Sequence, residues 1–199
     1  MRVSESTLHG VYVFEPEPRT DERGFFMRVF SADVHARGGI DHTALVQENQ
    51  SRSRRGTIRG LHTRRALSEA KLVRCVRGGV WDVAVDLRPW SPTFGRWESF
   101  ELDEDQHRQV YIPPGFAHGF QAVTDLADVC YRVDAYYEPD LDVAIAYDDP
   151  DLAIPWPLDE PIVSERDRTA PHLAEVRHLL ADWYGSEAPL GHGRADAAL

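Results

Sequence analysis

Between Arg59 and Arg74 the chain reads RGLHTRRALSEAKLVR, which sets His62 nine residues ahead of Lys71, the single lysine in a chain that otherwise writes its positive charge as arginine. An imidazole takes up a proton near neutral pH, and a carboxylate behind it fixes its tautomer and stabilises the imidazolium. A compact ammonium stabilises an oxygen on which enolate charge develops, a task for which the wide, delocalised guanidinium is a poor substitute. With a tyrosine to return the proton from the other side, these groups form a complete set for proton exchange beside a carbonyl. Spacing alone does not bring them together. The surroundings are basic: thirteen basic and six acidic residues lie between Arg19 and Arg77, so this stretch carries +7 and the remainder −18 of the net −11. A basic third inside an acidic chain suits a small anion, and arginine's fork matches the oxygens of a phosphate or pyrophosphate.

The elements that would position such residues are mostly strands. VYVFEP, GFFMRVF, LVQENQS, KLVRCVRG, GVWDVAVDLR, WESFEL, QVYIPPG, HGFQAVT and DVCYRVDAYY are rich in β-branched and aromatic residues, several with period-two alternation, and Gly, Pro, Asp and Asn break them at intervals. Many short strands around one core predict an all-β fold, an antiparallel sandwich or barrel and most simply a jelly roll, formed as one domain over residues 1–184. A short C-terminal helical segment is expected in PHLAEVRHLLADWYG, where Leu173, Val176, Leu180 and Trp183 fall on one face between Pro171 and Gly185. Residues 185–199 have little to bury and are expected to be a disordered tail. The net charge opposes binding to nucleic acid or to an anionic membrane surface. The first residues lack the basic start and apolar run of a signal peptide, and no run is long enough to span a bilayer, so a cytoplasmic address is expected. Cys75 and Cys130 form no CxxC or CxxH pattern and read as small buried hydrophobes.

Metal chemistry is the alternative use of the same histidines. Cupin jelly rolls often hold a metal with an HxH motif followed by Glu, and with a later PxG then His. This chain offers His62, Arg64 where the second histidine belongs, Glu69, and PPGFAH ending at His118. A permanently charged guanidinium in place of a neutral imidazole removes a ligand and sets a cation beside the metal. The pattern supports a jelly roll and argues against a metal centre.

DERGFF, QENQSRSRRGTIRGLH, KLVR, GGVWDVAVDLRPWSPTFGRW, YIPPGFAHGF, YYEPD, DDPDLAIPWP and SERD, in this order, resemble the dTDP-4-dehydrorhamnose 3,5-epimerase family of nucleotide-sugar epimerases over about Gly10 to Asp167. The resemblance implies a cupin-like jelly roll (a double-stranded β-helix), a homodimer, no metal and no organic cofactor. It implies a dTDP-linked 4-keto-6-deoxy sugar as substrate, epimerised at carbon 3, carbon 5 or both. His62 is similar to the family's catalytic base, Asp167 to the carboxylate that orients it, Tyr131 to the acid on the opposite face and Lys71 to the cation at the keto oxygen. Arg23 and Arg59 resemble contacts to the diphosphate or sugar, Gln47 and Asn49 polar contacts in the same site, and His118 and Arg166 further substrate contacts. Tyr137 resembles the residue that stacks on the base, with Phe26 as an apolar wall beside it.

Departures from the family pattern cluster on the recognition side. Arg28 stands where GFFxE has glutamate, Thr63 and Arg64 where an aromatic and Gln usually follow RGLH, and Asp142 where a glutamate is usual. All are expected near the substrate, with the proton-transfer set intact. Two other readings of the same residues are a metal-dependent cupin enzyme and a catalytically silent sugar-binding jelly roll.

Overall fold

The structure, a computed structural model, describes residues 1–188; the part of the expected tail at residues 189–199 lies outside the described residues. In chain order the elements are β1 (Arg2–Glu5), β2 (Tyr12–Glu15), the hairpin of β3 (Arg19–Asp21) and β4 (Gly24–Phe26), α1 (Ala32–His35), β5 (Gln47–Arg54), β6 (Ile58–Arg64), β7 (Lys71–Arg77), β8 (Gly79–Asp86), β9 (Trp97–Asp103), β10 (Gln109–Ile112), β11 (Phe116–Ala122), β12 (Leu126–Val133), β13 (Asp142–Ala144), α2 (Glu165–Arg168), α3 (Leu173–Val176) and α4 (Leu180–Tyr184).

Two antiparallel sheets face each other, one in the order β1-β2-β10-β7-β12-β5 and the other β13-β6-β11-β8-β9, with β3-β4 standing apart as a two-stranded ribbon. Period-two alternation decides which residues meet between them. Val73, Val110 and Val129 of the first sheet pack against Val80, Ala84, Phe116 and Phe120 of the second. The odd-numbered residues of β8, Val83 and Val85, point the other way, where Leu173, Val176, Leu180 and Tyr184 cover them together with Leu61 and Ala117. The C-terminal segment thus seals the outer face of the sheet whose inner face carries His62. Cys75 and Cys130 are buried free thiols, and burial pushes Cys75 up to about 11, so it stays protonated at neutral pH. Among the described residues no helix is long and apolar enough to cross a membrane.

Strand reading from the sequence differs from the structure in two instructive places. GFFMRVF yields only the three-residue β4, because Phe25 and Phe26 are exposed at 58% and 75% and join no core. β6 is not among the apolar runs, because its inward positions carry polar groups, Arg59 and His62 facing a cavity and Arg64 buried against carboxylates. The expected C-terminal helix is interrupted by a 3-10 turn over Arg177–Leu179, which shifts the phase so that Tyr184 is fully packed and Trp183 only partly.

β6 also breaks strict alternation, and the site depends on this. In the β6–β11 register His62 faces His118 while Arg59 faces Phe120, so three steps on β6 match two on β11. The extra residue is a bulge. Without it His62 and Arg59, at odd separation, would lie on opposite faces of the sheet. Gly60 occupies the bulge at φ 132°, and a Cβ there would come within 2.5 Å of Gly119 Cα and 2.8 Å of the His118 carbonyl oxygen. Both obstacles are backbone, so neither can swing aside. Gly60→Ala is expected to lose about 1–3 kcal/mol of stability and to disturb His62, seen as a lower Tm and loss of turnover; a variant with parental Tm and rate would show that neither the fold nor the base depends on a glycine at the bulge.

Candidate active site

A cavity of about 540 Å³ opens between the β5, β7 and β12 end of one sheet and β6, β11 and β13 of the other. His62 reaches it from β6. Its Nε2 lies 2.7 Å from Oδ1 of Asp167, a residue 105 positions further along the chain. Asp167 sits in the single turn α2, where Ser164 caps the turn by accepting from the Asp167 backbone N–H at 3.2 Å. Backbone hydrogen bonds from Ile58 to Ile162 and from Ile162 to Gly56, both 3.0 Å, dock the segment leading into α2 against the start of β6. The Gly60 N–H donates to Asp167 Oδ2 at 3.4 Å, so the bulge supplies the carboxylate's second partner. Burial alone would raise the Asp167 carboxyl; hydrogen bonding to His62, the charge of that ring, and the Gly60 and Ser164 contacts outweigh it and hold the group below its ordinary value. An ionised Asp167 accepts from Nε2–H and leaves Nδ1 as the basic nitrogen.

A second histidine–carboxylate pair lies alongside. His118, directly opposite His62 in the register, has Nε2 2.8 Å from Oδ2 of Asp82, and Asp82 is fully buried. Lys71 comes from the first residue of β7, with Nζ 3.0 Å from Glu69 Oε1. Tyr131 lines the cavity from β12, and its hydroxyl is raised above its usual value, first by burial and then by the negative charge of Glu69. A phenol held protonated in this way can donate a proton and does not lose it to solvent beforehand.

The polar wall comes from alternate residues of β5. Gln47 and Asn49 face inward and bond to one another at 2.9 Å, Gln47 Nε2 donating. Arg59 joins this wall, its Nε donating to Ser53 Oγ at 3.0 Å. Asp142 and Arg166 form an ion pair at 2.8 Å on another side of the cavity, and Tyr137, 63% exposed, stands at its rim. Eleven of the residues singled out in the sequence therefore line one cavity.

Arg23, Phe26 and Arg28 do not. They belong to the β3-β4 ribbon and the segment after it, where Arg23 is paired with Asp21 and Phe25 packs on His107 at 4.8 Å between ring centres. The expectation that all departures from the family pattern sit near the substrate also needs correction. Thr63 points away from the cavity, because it alternates with His62, and its Oγ1 bonds the Tyr184 hydroxyl at 2.6 Å. Arg64 is buried against carboxylates, Arg28 lies outside the cavity, and only Asp142 of the four faces it. Sequence reasoning missed Asp82, Glu69 as the partner of Lys71, and Ser164. For Asp82 a signal existed: an aspartate inside the apolar run GVWDVAV belongs on an inward-facing position of a strand and must find a partner there.

The two sheets thus set a histidine–aspartate pair, a lysine and a tyrosine around one pocket, an arrangement suited to proton exchange beside a carbonyl. Residues 5–175 match the dTDP-4-dehydrorhamnose 3,5-epimerase family. The chain is 44% identical over 177 residues to a dTDP-4-dehydrorhamnose 3,5-epimerase of Methanothermobacter thermautotrophicus, covering 87% of this chain and 95% of that protein. Among solved structures it superposes on a 4-keto-6-deoxy sugar epimerase from the novobiocin biosynthetic gene cluster of Streptomyces spheroides with TM-score 0.86 and 42% identity, covering 89% of this chain and 90% of that one. A Legionella pneumophila dTDP-6-deoxy-D-glucose-3,5-epimerase, solved in complex with dTDP-4-keto-L-rhamnose, matches with TM-score 0.85 and 40% identity over 90% of this chain and 96% of that one. The chain belongs to the dTDP-4-dehydrorhamnose 3,5-epimerase family.

The lowered Asp167 carboxyl carries a consequence for acid stability. The free energy from its ionisation is fully present above the unfolded carboxyl value of about 3.9 and is lost as pH falls through the lower folded value. Asp167→Asn should reduce Tm at neutral pH and flatten the fall of Tm below about pH 4. Thermal melts across pH 2–7 check this; an acid slope unchanged from the parent would mean that Asp167 is not held ionised by the fold.

Proposed function

We propose that residues 1–184 epimerise a dTDP-linked 4-keto-6-deoxyhexose at carbon 3, carbon 5 or both by proton transfer, without a metal or an organic cofactor. The observation that carries this reading is the convergence of the His62–Asp167 pair, Lys71 and Tyr131 on one cavity. The relative solved with dTDP-4-keto-L-rhamnose supports the substrate class.

The chemistry follows from the groups. The keto group at carbon 4 acidifies the hydrogens on carbons 3 and 5. His62, with Asp167 holding Nε2–H, takes such a hydrogen as a proton on Nδ1; the C–H electrons move into the ring and charge settles on the carbon-4 oxygen. The Lys71 ammonium stabilises that oxygen. Tyr131 gives its hydroxyl proton to the same carbon from the opposite face, which inverts the centre, and exchange with solvent restores both side chains. Arg59, Gln47 and Asn49 offer donors to the diphosphate region, and Tyr137 offers a flat face to the base. Asp142, one methylene shorter than the usual glutamate and already paired with Arg166, presents less free carboxylate to the nucleotide.

Proton NMR of dTDP-4-keto-6-deoxyglucose with the protein in heavy water tests the reading. Deuterium should appear at carbon 3, carbon 5 or both together with inversion, and His62→Asn should slow this about 10²- to 10⁴-fold with substrate binding nearly unchanged. Binding without any exchange would favour a silent sugar-binding jelly roll, and near-parental rates in His62→Asn would overturn the assignment of the base.

A homodimer, which the family resemblance implies, accounts for the three residues outside the cavity. In support of this, the β3-β4 ribbon is exposed and does not line the cavity of its own chain, and β5, which carries Gln47 and Asn49, is an edge strand, paired among the described residues with β12 alone. Arg23→Ala should then lose turnover, and mixing it with His62→Asn should restore part of the turnover through mixed dimers; a mixture no faster than either variant would place the Arg23 contact elsewhere.

A further inference from the structure

An anion cavity contains a carboxylate that the proton-transfer scheme leaves unused. Glu69 lines the pocket with its side chain 17% exposed, and its Oε1 is 3.0 Å from Lys71 Nζ. Alone, that negative charge would cancel the ammonium just where an enolate forms, and with both side chains largely buried the cancellation is little screened. It is not alone. Arg64, with a side chain only 3% exposed, sets Nη1 3.1 Å from Glu69 Oε2. The same nitrogen donates to the Tyr136 carbonyl at 2.9 Å, and Nη2 lies 2.9 Å from Oε1 of Glu138, whose side chain is 63% exposed and screened by solvent. Lys71, Glu69 and Arg64 therefore form a row of alternating charge, two cations to one carboxylate, running from the cavity into the wall behind it. The nearby Asp134 carboxyl is raised above its ordinary value, first by burial, which weakens its claim on the row.

The backbone is arranged to build this row. Glu69 sits at φ 70°, in the left-handed region that a residue with a Cβ seldom adopts, and the Ala70 N–H donates to Asp134 Oδ1 at 2.7 Å, which fixes the turn. Arg64 lies two residues past His62 on the same face of β6, so the strand that carries the base also carries the counter-charge for the lysine's partner.

We propose that Glu69 is a positioning residue that holds the Lys71 ammonium at the substrate's keto oxygen, and that Arg64 neutralises Glu69 so that a net positive charge still faces the enolate. This rests on the reading of Lys71 given above. Both residues act through Lys71. The row also explains why Arg64 replaces the glutamine usual after RGLH: a buried carboxylate at 69 requires a cation at 64.

The sign of a double substitution separates charge balance from mere structure. Arg64→Gln leaves Lys71 and Glu69 with no net charge and should lower kcat about 10- to 100-fold, the usual range for groups that orient a reacting residue, with KM within about threefold. Arg64→Gln combined with Glu69→Gln returns the single positive charge of Lys71 and should recover several-fold of that loss, whereas two structural lesions would add. Deuterium exchange into the 4-keto sugar, with Tm and circular dichroism as folding controls, gives the rates. Arg64→Lys, which keeps the charge, should hold kcat near the parent if Arg64→Gln proves too unstable to assay. A double variant no faster than Arg64→Gln, an Arg64→Gln enzyme with parental kcat, or an Arg64→Lys enzyme with kcat far below the parent would overturn the proposal. Lys71→Met is measured in parallel. Loss of kcat there, without the rescue, defeats this inference alone; parental kcat in Lys71→Met defeats the reading of Lys71 on which it rests.

Discussion

A β-strand offers only every second residue to one face, and this cavity needs Arg59 and His62 on the same side of β6. The bulge at Gly60 resolves the conflict by adding one residue opposite β11. The room for it exists only because Gly60 meets a second glycine, Gly119, across the strand pair, where a Cβ would lie 2.5 Å from its Cα. Much else hangs on that contact. The freed Gly60 N–H points at Asp167, His62 turns inward opposite His118, and Thr63 turns outward to meet Tyr184. One backbone irregularity thereby aims the base, supports its carboxylate and anchors the C-terminal cover.

Electrostatics in the cavity follow a division of labour between its two walls. On the β6 side a buried aspartate is kept ionised by the groups that contact it, while on the β12 side burial and a neighbouring carboxylate keep the Tyr131 phenol protonated. Opposite protonation states on facing walls are what proton delivery across a planar enolate demands. At position 71 lysine and arginine are not exchangeable. Lys71 offers a point charge at the end of a flexible stem, while Arg64 divides its charge between Glu69 at one terminal nitrogen and Glu138 at the other.

How much of this was legible in the sequence depends on which face a residue occupies. KLVRCV and GVWDVAV announce strands because apolar residues dominate them, Val73, Cys75, Val80 and Ala84 facing inward beside the polar Lys71 and Asp82, and the jelly-roll class follows from such runs. β6 did not announce itself by pattern: its inward positions are arginine, histidine and arginine, and only the family motif RGLH marked it. The members of the proton-transfer set were named from separate family matches, His62 in RGLH, Lys71 in KLVR, Tyr131 in VCYRV and Asp167 in SERD, since nothing in spacing brings residue 167 to residue 62. Glu69 and Asp82 went unread as partners because a carboxylate's role depends on which cation or imidazole the fold sets opposite it, and register is not written in one strand alone. The ribbon residues Arg23, Phe26 and Arg28 show the reverse limit. Their motif is plain in the sequence, yet within this chain they stand apart from the cavity.

The pairing of His62 with Asp167 across 105 positions, together with that of Thr63 with Tyr184 across 121, bears on the order in which the chain becomes competent. During synthesis both sheets can assemble as soon as β13 has left the ribosome, yet the imidazole then has no carboxylate and the outer face of its sheet is still bare. Contacts of such long sequence separation close late. A nascent or truncated chain that ends before α2 would hold a nearly complete sandwich and no working base, so that proton-exchange activity reports the arrival of the last turns of the chain and not merely the collapse of its sheets.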